Sequence, residues 1–474
     1  MSEKAVRHYD DEASDHFWKK ERLNMVMTRK VRLLLILLAS GFSILWGFSI
    51  GQKSNGWADF RGVYYGSRCL LQHHNPYNVS ELEDVYRTDG GEGPSEPISA
   101  RPSVTHYVNL PTTLLIIAPF AILPWGFAHL LWMILTAGAI IFAALLMWNC
   151  GANYAPVISG GLICTVLINC EAIFGTGNTA GIVVGLCVVA VWCFFQERFV
   201  SAGILCLAVS LAIKPHDAGL VWLYFLLAGG AYRKRALQAL IVAVVLSLFA
   251  ILWVWHVAPH WIQELQSNLL AYSAPGGANN PGPIAVNSGS GPSMIINLQS
   301  VISTFRDDPH IYNPVSYMIC GMLLLVWSAR TLKSQFSQSR AWLALASVTA
   351  ITMLVTYHRP YDAKLLLLAV PACAMLWAEG GPIGWVALLV TTAGIVSTGD
   401  IPLAILLILT KNLLISTAGL SGKMLTVVLM RPAPLILLAM GIFYLWVYVR
   451  RDPVRAVTVE SGEPKGTPHA LTPA

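Results

Sequence analysis

The chain has 474 residues, of which 55% are hydrophobic and only 12% charged, whereas a soluble domain carries roughly 25% charged residues. Its mean hydropathy is +0.59 and its formal net charge +6. An ordinary soluble enzyme is excluded, and a modest positive charge that mostly flanks apolar runs points to topology and lipid headgroups, not to nucleic acid.

Apolar runs of the ~20 residues that a helix needs to cross a bilayer recur along nearly the whole length. They predict an all-α polytopic membrane protein with one integral-membrane domain over 31–450, between tails 1–30 and 451–474. The first run, VRLLLILLASGFSILWGFSI, is too long for a signal-peptide core and lacks a small-residue cleavage site. Lys19, Lys20, Arg22, Arg29, Lys30 and Arg32 crowd its front edge against a single Glu21, which holds the N-terminus in the cytoplasm. The polar segment 51–110 then lies outside. Its first half keeps aromatics and a helical rhythm, while TDGGEGPSEP reads as irregular chain.

Further apolar stretches follow at about 111–124, 126–148, 155–173, 178–196, 200–228 and 237–257, and AYRKRALQ before the last is a cytoplasmic marker. The stretch 200–228 exceeds one span, and Pro215 splits it into two short pieces with Lys214 at membrane depth. A second external loop, about 258–310, contains SAPGGANNPGPIAVNSGSGPS, a Gly/Pro/Ser-rich lid or acceptor-facing loop. Spans near 311–329, 341–357, 361–378 and 383–398 come next, then 400–432 as one span, two, or a re-entrant pair, and a last span near 433–450. Arg450 and Arg451 place the C-terminus inside, so the crossings are even in number, about twelve, with two long external loops. The nine cysteines are scattered, with no CxxC pair and no His spacing for zinc. Packing is their ordinary role.

A charge at the centre of an inserted helix costs about 2.5–3.5 kcal/mol, so intramembrane ionisable groups need a reason. Four places qualify: WADFRGVYY, with Asp59, Arg61, Tyr64 and Tyr65; CEAIFGTGNTAG, with Glu171 and Asn178; LAIKPHDAG, with Lys214, His216 and Asp217; and VTYHRPYDAKLL, with His358, Arg359, Tyr361, Asp362 and Lys364. Arg340 starts the span before the fourth cluster in the cytoplasm, so that cluster emerges on the same external face as Asp59. A carboxylate opposite His, Arg and Lys suits deprotonation of a hydroxyl while a phosphate leaves. Each group also has an ordinary reading. Asp59 can sit at a headgroup boundary, Lys214 can snorkel, Glu171 and Asn178 can join helices, His358 and Arg359 can form an interfacial turn, and the tyrosines can belong to an aromatic belt.

Taken in order, ADFRGVYYGSRCLLQHHNPYN, YVNLPTTLLIIAPFAILP, GTGNTAGIVVGL, AGILCLAVSLAIKPHDAGLVWL and YHRPYDAKLLLLAVP resemble glycosyltransferase family 87, over about residues 57–378. His73 or His74 stands where that family's Gly-x-x-Pro-Tyr turn has glycine, and Thr176 or Gly177 where its Gly-Gln-x-Asn segment has glutamine. The resemblance implies a GT-C fold with an external active site, no cofactor and no required metal. It also implies transfer of a hexose, mannose in the first place, from a polyprenyl-phosphate-linked donor to a lipid or glycan acceptor. Asp59 would be the catalytic base, His358, Arg359 and Lys214 would bind the donor phosphate, and Arg61, Tyr64, Tyr65, Tyr361, Asp362 and Asn178 would line the substrate site. A transporter or flippase of a lipid-linked or anionic substrate is the alternative of another class. It should place its ionisable groups at the midplane between related halves, and no internal repeat is visible here. A polysaccharide ligase or polymerase shares the lipid-phosphate chemistry.

Overall fold

A computed structural model describes residues 29–52, 57–89, 104, 106–275, 277, 279–282, 295–411 and 419–451. The two predicted tails, apart from residues 29–30 and 451, and the centres of the two Gly/Pro-rich loop stretches fall outside these. Among the described residues the secondary structure is helical, with no strand.

Among the described residues six helices are long and apolar enough to cross a membrane. They include α1 (Arg29–Gly51), α5 (Trp125–Ala152), α11 (Gly230–Val257), α14 (Pro309–Lys333) and α20 (Pro432–Arg450); α6 (Pro156–Leu167) and α7 (Glu171–Thr176) together make another. A bent pair, α17 (Gly381–Ser397) and the start of α18 (Asp400–Lys411), which meet at 69°, would be a seventh. The other apolar stretches form shorter or broken helices, so length alone does not assign them as crossings. Large side chains stay exposed along α1, α5, α11 and α14, among them Leu45, Phe127, Leu252 and Leu325. A bilayer would cover those faces.

The stretch 200–228 breaks where its proline predicts. α9 (Val200–Ile213) ends at Lys214 and α10 (Pro215–Ala228) begins at once. Pro215 has no N–H and cannot continue the ladder, so carbonyls at the end of α9 need other donors. Thr112 Oγ1 donates to the Ala212 carbonyl and Thr113 Oγ1 lies 3.4 Å from that of Ile213, both from α4 (Pro111–Ala121). The stretch 400–432 is two short helices, α18 and α19 (Gly419–Met430); residues 412–418 between them lie outside the described set.

The centre of the molecule is α15 (Gln338–Val355), in which every residue from Arg340 to Leu354 is buried. Its small Ala, Ser and Thr residues let α20, α10 (Pro215–Ala228) and α14 pack against it. A 3-10 helix (Asp362–Ala369) and α16 (Val370–Glu379) are buried as completely, up to Leu376. The YHRPYD turn is thus held between two fully enclosed segments.

The first half of the first polar loop folds onto the bundle. α2 (Ala58–Leu71), α3 (Val79–Thr88) and the tops of α4, α5 and α11 enclose a second core rich in Phe60, Tyr64, Tyr77, Tyr107 and Trp132. Aromatics that composition alone assigns to a membrane belt serve here as core. α12 (Trp261–Ser273), from the second loop, closes it: Asn268 Nδ2 donates to the carbonyls of Tyr77 and Tyr107 at 3.0 and 3.1 Å, and Asn75 Nδ2 donates to Glu264 at 2.6 Å. In the HHNPY turn it is His73 that adopts φ +61, just past the end of α2, where glycine is usual. Replacing His73 with glycine should therefore raise stability by about 0.5–1 kcal/mol, read as a higher unfolding midpoint in detergent.

Candidate active site

Asp59 sits in the first turn of α2. Its position is fixed from behind by α7, whose Gly175 carbonyl accepts from Trp57 N at 2.7 Å. The chain then turns at Gly177, φ +67, where an added Cβ would stand 2.6 Å from Phe60 Cβ. Position 177 of GTGN must be glycine on both counts. One residue on, Asn178 Nδ2 donates to Asp59 Oδ2 at 2.8 Å, and Asn178 Oδ1 accepts from Ala180 N at 2.8 Å.

That same Asn178 Oδ1 accepts from Lys214 Nζ at 3.3 Å. Lys214 occupies the break between α9 and α10, is 9% exposed, and donates to Asp362 Oδ1 at 2.5 Å. Its ammonium also lies 5.1 Å from the centre of the Tyr361 ring. Asp362 Oδ2 accepts from Arg359 N at 2.8 Å, so the carboxylate that pairs Lys214 also closes the RPYD turn. Asp59, Asn178, Lys214 and Asp362, from four distant motifs, form one continuous hydrogen-bonded line.

Around this line stand Arg359 and His358. Burial opposes the charge on Arg359, but Tyr357, Tyr361 and the carboxylates of Asp59 and Asp362 outweigh it and raise its pKa, so the guanidinium stays charged. His358 has no exposed surface; its Nδ1 lies 3.1 Å from the Thr356 carbonyl oxygen, and its backbone carbonyl accepts from Ile296 N at 3.0 Å. Asp59 and Arg359 are only partly buried, Lys214, His358 and Asp362 deeper.

Three residues expected at the substrate do not join this hydrogen-bonded line. Arg61 lies two positions from Asp59, about 200° around the helix, and stacks over Trp125 with its Nη1 3.5 Å from the Tyr86 hydroxyl. Tyr64 donates to the Leu123 carbonyl at 2.7 Å, and Tyr65 packs edge-on against Tyr86. These groups attach the loop helix to the membrane helices. Conversely, Asp217 joins the cluster: its Oδ1 is 3.2 Å from His358 Nε2 and its Oδ2 3.6 Å from Lys214 Nζ. The sequence signal for Asp217 was its place beside Pro215, one helical turn from Lys214. Arg431 gave no signal. It is 3% exposed, donates to the carbonyls of Pro281 and Gly282 at 2.7 and 3.1 Å and to that of Ser300, and so clamps the second loop over the His358 turn.

The model of glycosyltransferase family 87 matches residues 107–357, more than half of the chain. The chain belongs to glycosyltransferase family 87. It is a membrane glycosyltransferase, which decides against the transporter alternative. The match takes in Asn178, Lys214 and Asp217; Asp59 precedes it and His358 directly follows it. Comparison with curated proteins and with solved structures gives no match.

Proposed function

We propose that this family 87 enzyme has the GT-C architecture and transfers a hexose, mannose in the first instance, from a polyprenyl-phosphate carrier to a hydroxyl of a lipid or glycan acceptor at the external face of the cytoplasmic membrane. Asp59 removes the acceptor proton, the oxygen attacks the anomeric carbon with inversion, and the bond from that carbon to the phosphate oxygen breaks, releasing polyprenyl phosphate. The observation that carries this reading is the Asp59–Asn178–Lys214–Asp362 line, with Arg359 at its edge. It sets a carboxylate base beside fixed cations, as a displacement that makes negative charge on phosphate needs. Asn178 orients the base, Arg359 grips phosphate oxygens, and Lys214, Tyr361 and Asp362 hold the floor with His358 beneath.

A lipid-linked donor also needs room for its tail. An apolar cavity of about 340 Å³ lies against the same turn, lined by Ile296, Pro360, Val396, Leu403 and Met430 among others, and we assign it to the first isoprene units. Leu403→Trp should raise KM for the donor about tenfold, ~1.4 kcal/mol of binding, with kcat kept, because the lost contacts are made equally in ground and transition states.

The test is incubation of purified protein with labelled polyprenyl-phosphate-mannose and membrane lipid extract. Appearance of label in a new lipid or glycan product is the expected result. Transfer from a nucleotide sugar and not from the lipid-linked one would overturn the donor assignment. Cysteines placed at 59 and 359, both only partly buried, should both react with an impermeant external thiol reagent, or the shared external site is wrong.

A further inference from the structure

Asp217 has no part in the mechanism above, and its surroundings ask for one. Its side chain has no exposed surface, yet no hydrogen bond reaches either carboxylate oxygen; buried carboxylates are normally hydrogen-bonded, ion-paired or bound to metal. Three groups face it. His358 Nε2 and His216 Nε2 stand 3.2 and 3.8 Å from Oδ1, and Lys214 Nζ stands 3.6 Å from Oδ2. Lys214 is turned toward Asp362, at 2.5 Å.

His358 carries the argument further. The partner of its Nδ1 is a backbone carbonyl, which leaves Nε2 as the ring atom facing Asp217, at 3.2 Å and without the alignment of a hydrogen bond. A metal ion seated between that nitrogen and the carboxylate would give both a partner. We propose that His216, Asp217 and His358 form a site for a divalent transition-metal ion, next to the donor phosphate.

The candidate ligand atoms all lie within 4.8 Å of one another. Ligands bound at about 2.0–2.2 Å stand roughly 3.0–3.5 Å apart. His358 and Asp217 already meet that spacing, and His216, whose side chain is 35% exposed, has freedom to move the ångström or so that the widest pair requires. Two imidazoles and one carboxylate suit zinc, iron or manganese and leave coordination positions open. The charges agree: Asp217 and Asp362 against Lys214 leave a net negative site, and a divalent ion makes it positive, matched to a phosphate. Through such an ion the fully buried His358 would act on the phosphate without touching it, a role that rests on the transferase reading. Sequence spacing could not reveal the site, because two ligands are neighbours in the chain and the third is on another span.

Full-length protein in nanodiscs, stripped with chelator, is titrated with Co²⁺, followed by its visible absorption, and with Zn²⁺, followed by elemental analysis. One ion per chain is expected, bound at least about tenfold more weakly by His216→Ala and not at all by Asp217→Asn. His216 is at the open edge of the cluster, so its variant keeps the test decisive if Asp217→Asn fails to fold. No stoichiometric ion, or an ion that His216→Ala binds as tightly as the wild type, would overturn the site. Chelated, metal-free protein that still moves mannose from the lipid-linked donor removes the ion and leaves the transferase reading standing; ion-loaded protein inert toward that donor, with the variant effects intact, does the reverse.

Discussion

Replacing Asp59 with asparagine is expected to lower sugar transfer by about 10²–10⁴-fold, the contribution usual for a positioned general base, and to leave the fold intact. The carboxylate is only partly buried and its one described side-chain hydrogen bond is from Asn178 at 2.8 Å, so an amide of the same shape loses little packing. Asparagine cannot take a proton at neutral pH, and the loss should therefore appear in kcat, with KM for donor and acceptor nearly unchanged. Asn178→Ala probes the same base from behind. It frees Asp59 and strips one acceptor from Lys214, so it should cost activity too, by less than the asparagine at 59. A folded Asp59→Asn variant that transfers mannose at the wild-type rate would remove the base assignment altogether.

The membrane class, the break at Pro215 and the folded first half of the first polar loop were legible because each has a local cause: a long apolar run, a missing N–H, an amphipathic rhythm in ADFRGVYY. The crossings were less so. α15 and the 3-10 helix after it are apolar because they are enclosed by protein, and composition cannot tell protein surroundings from lipid ones. At the site, the sequence flagged Asp59, Asn178, Lys214 and Asp362 as charged or polar groups in costly places, which is a physical signal. It could not say that Arg61, on the opposite side of the helix from Asp59, would stack on Trp125, nor that Asn268 would bind the NPY turn from a loop far along the chain. Such pairings depend on which distant surfaces meet. Arg431 is the clearest case: nothing in its sequence context marks it, yet it is buried against loop carbonyls.

Lys214→Met is expected to destabilise the protein by about 3–5 kcal/mol, the range for breaking a buried ion pair by removing one partner. Methionine nearly matches the volume, so the cost is electrostatic: Asp362, at 2.5 Å from the ammonium, and Asp217, at 3.6 Å, are both without exposed surface and lose their shared counter-charge. Arginine should not rescue, because its planar fork needs space that a lysine pocket between Asn178 and Asp362 does not offer. The informative variant is the double substitution Lys214→Met with Asp362→Asn. Removing one negative charge with the positive one should recover most of the unfolding midpoint, since an ion pair exchanged for neutral groups of similar shape is often near neutral in stability. Transfer should stay low, because no ammonium remains to offset charge on the leaving phosphate. Recovery of both stability and transfer would mean that Lys214 serves only to hold the helix break to the RPYD turn. Recovery of stability alone separates the two roles, and puts Lys214 at the reacting phosphate.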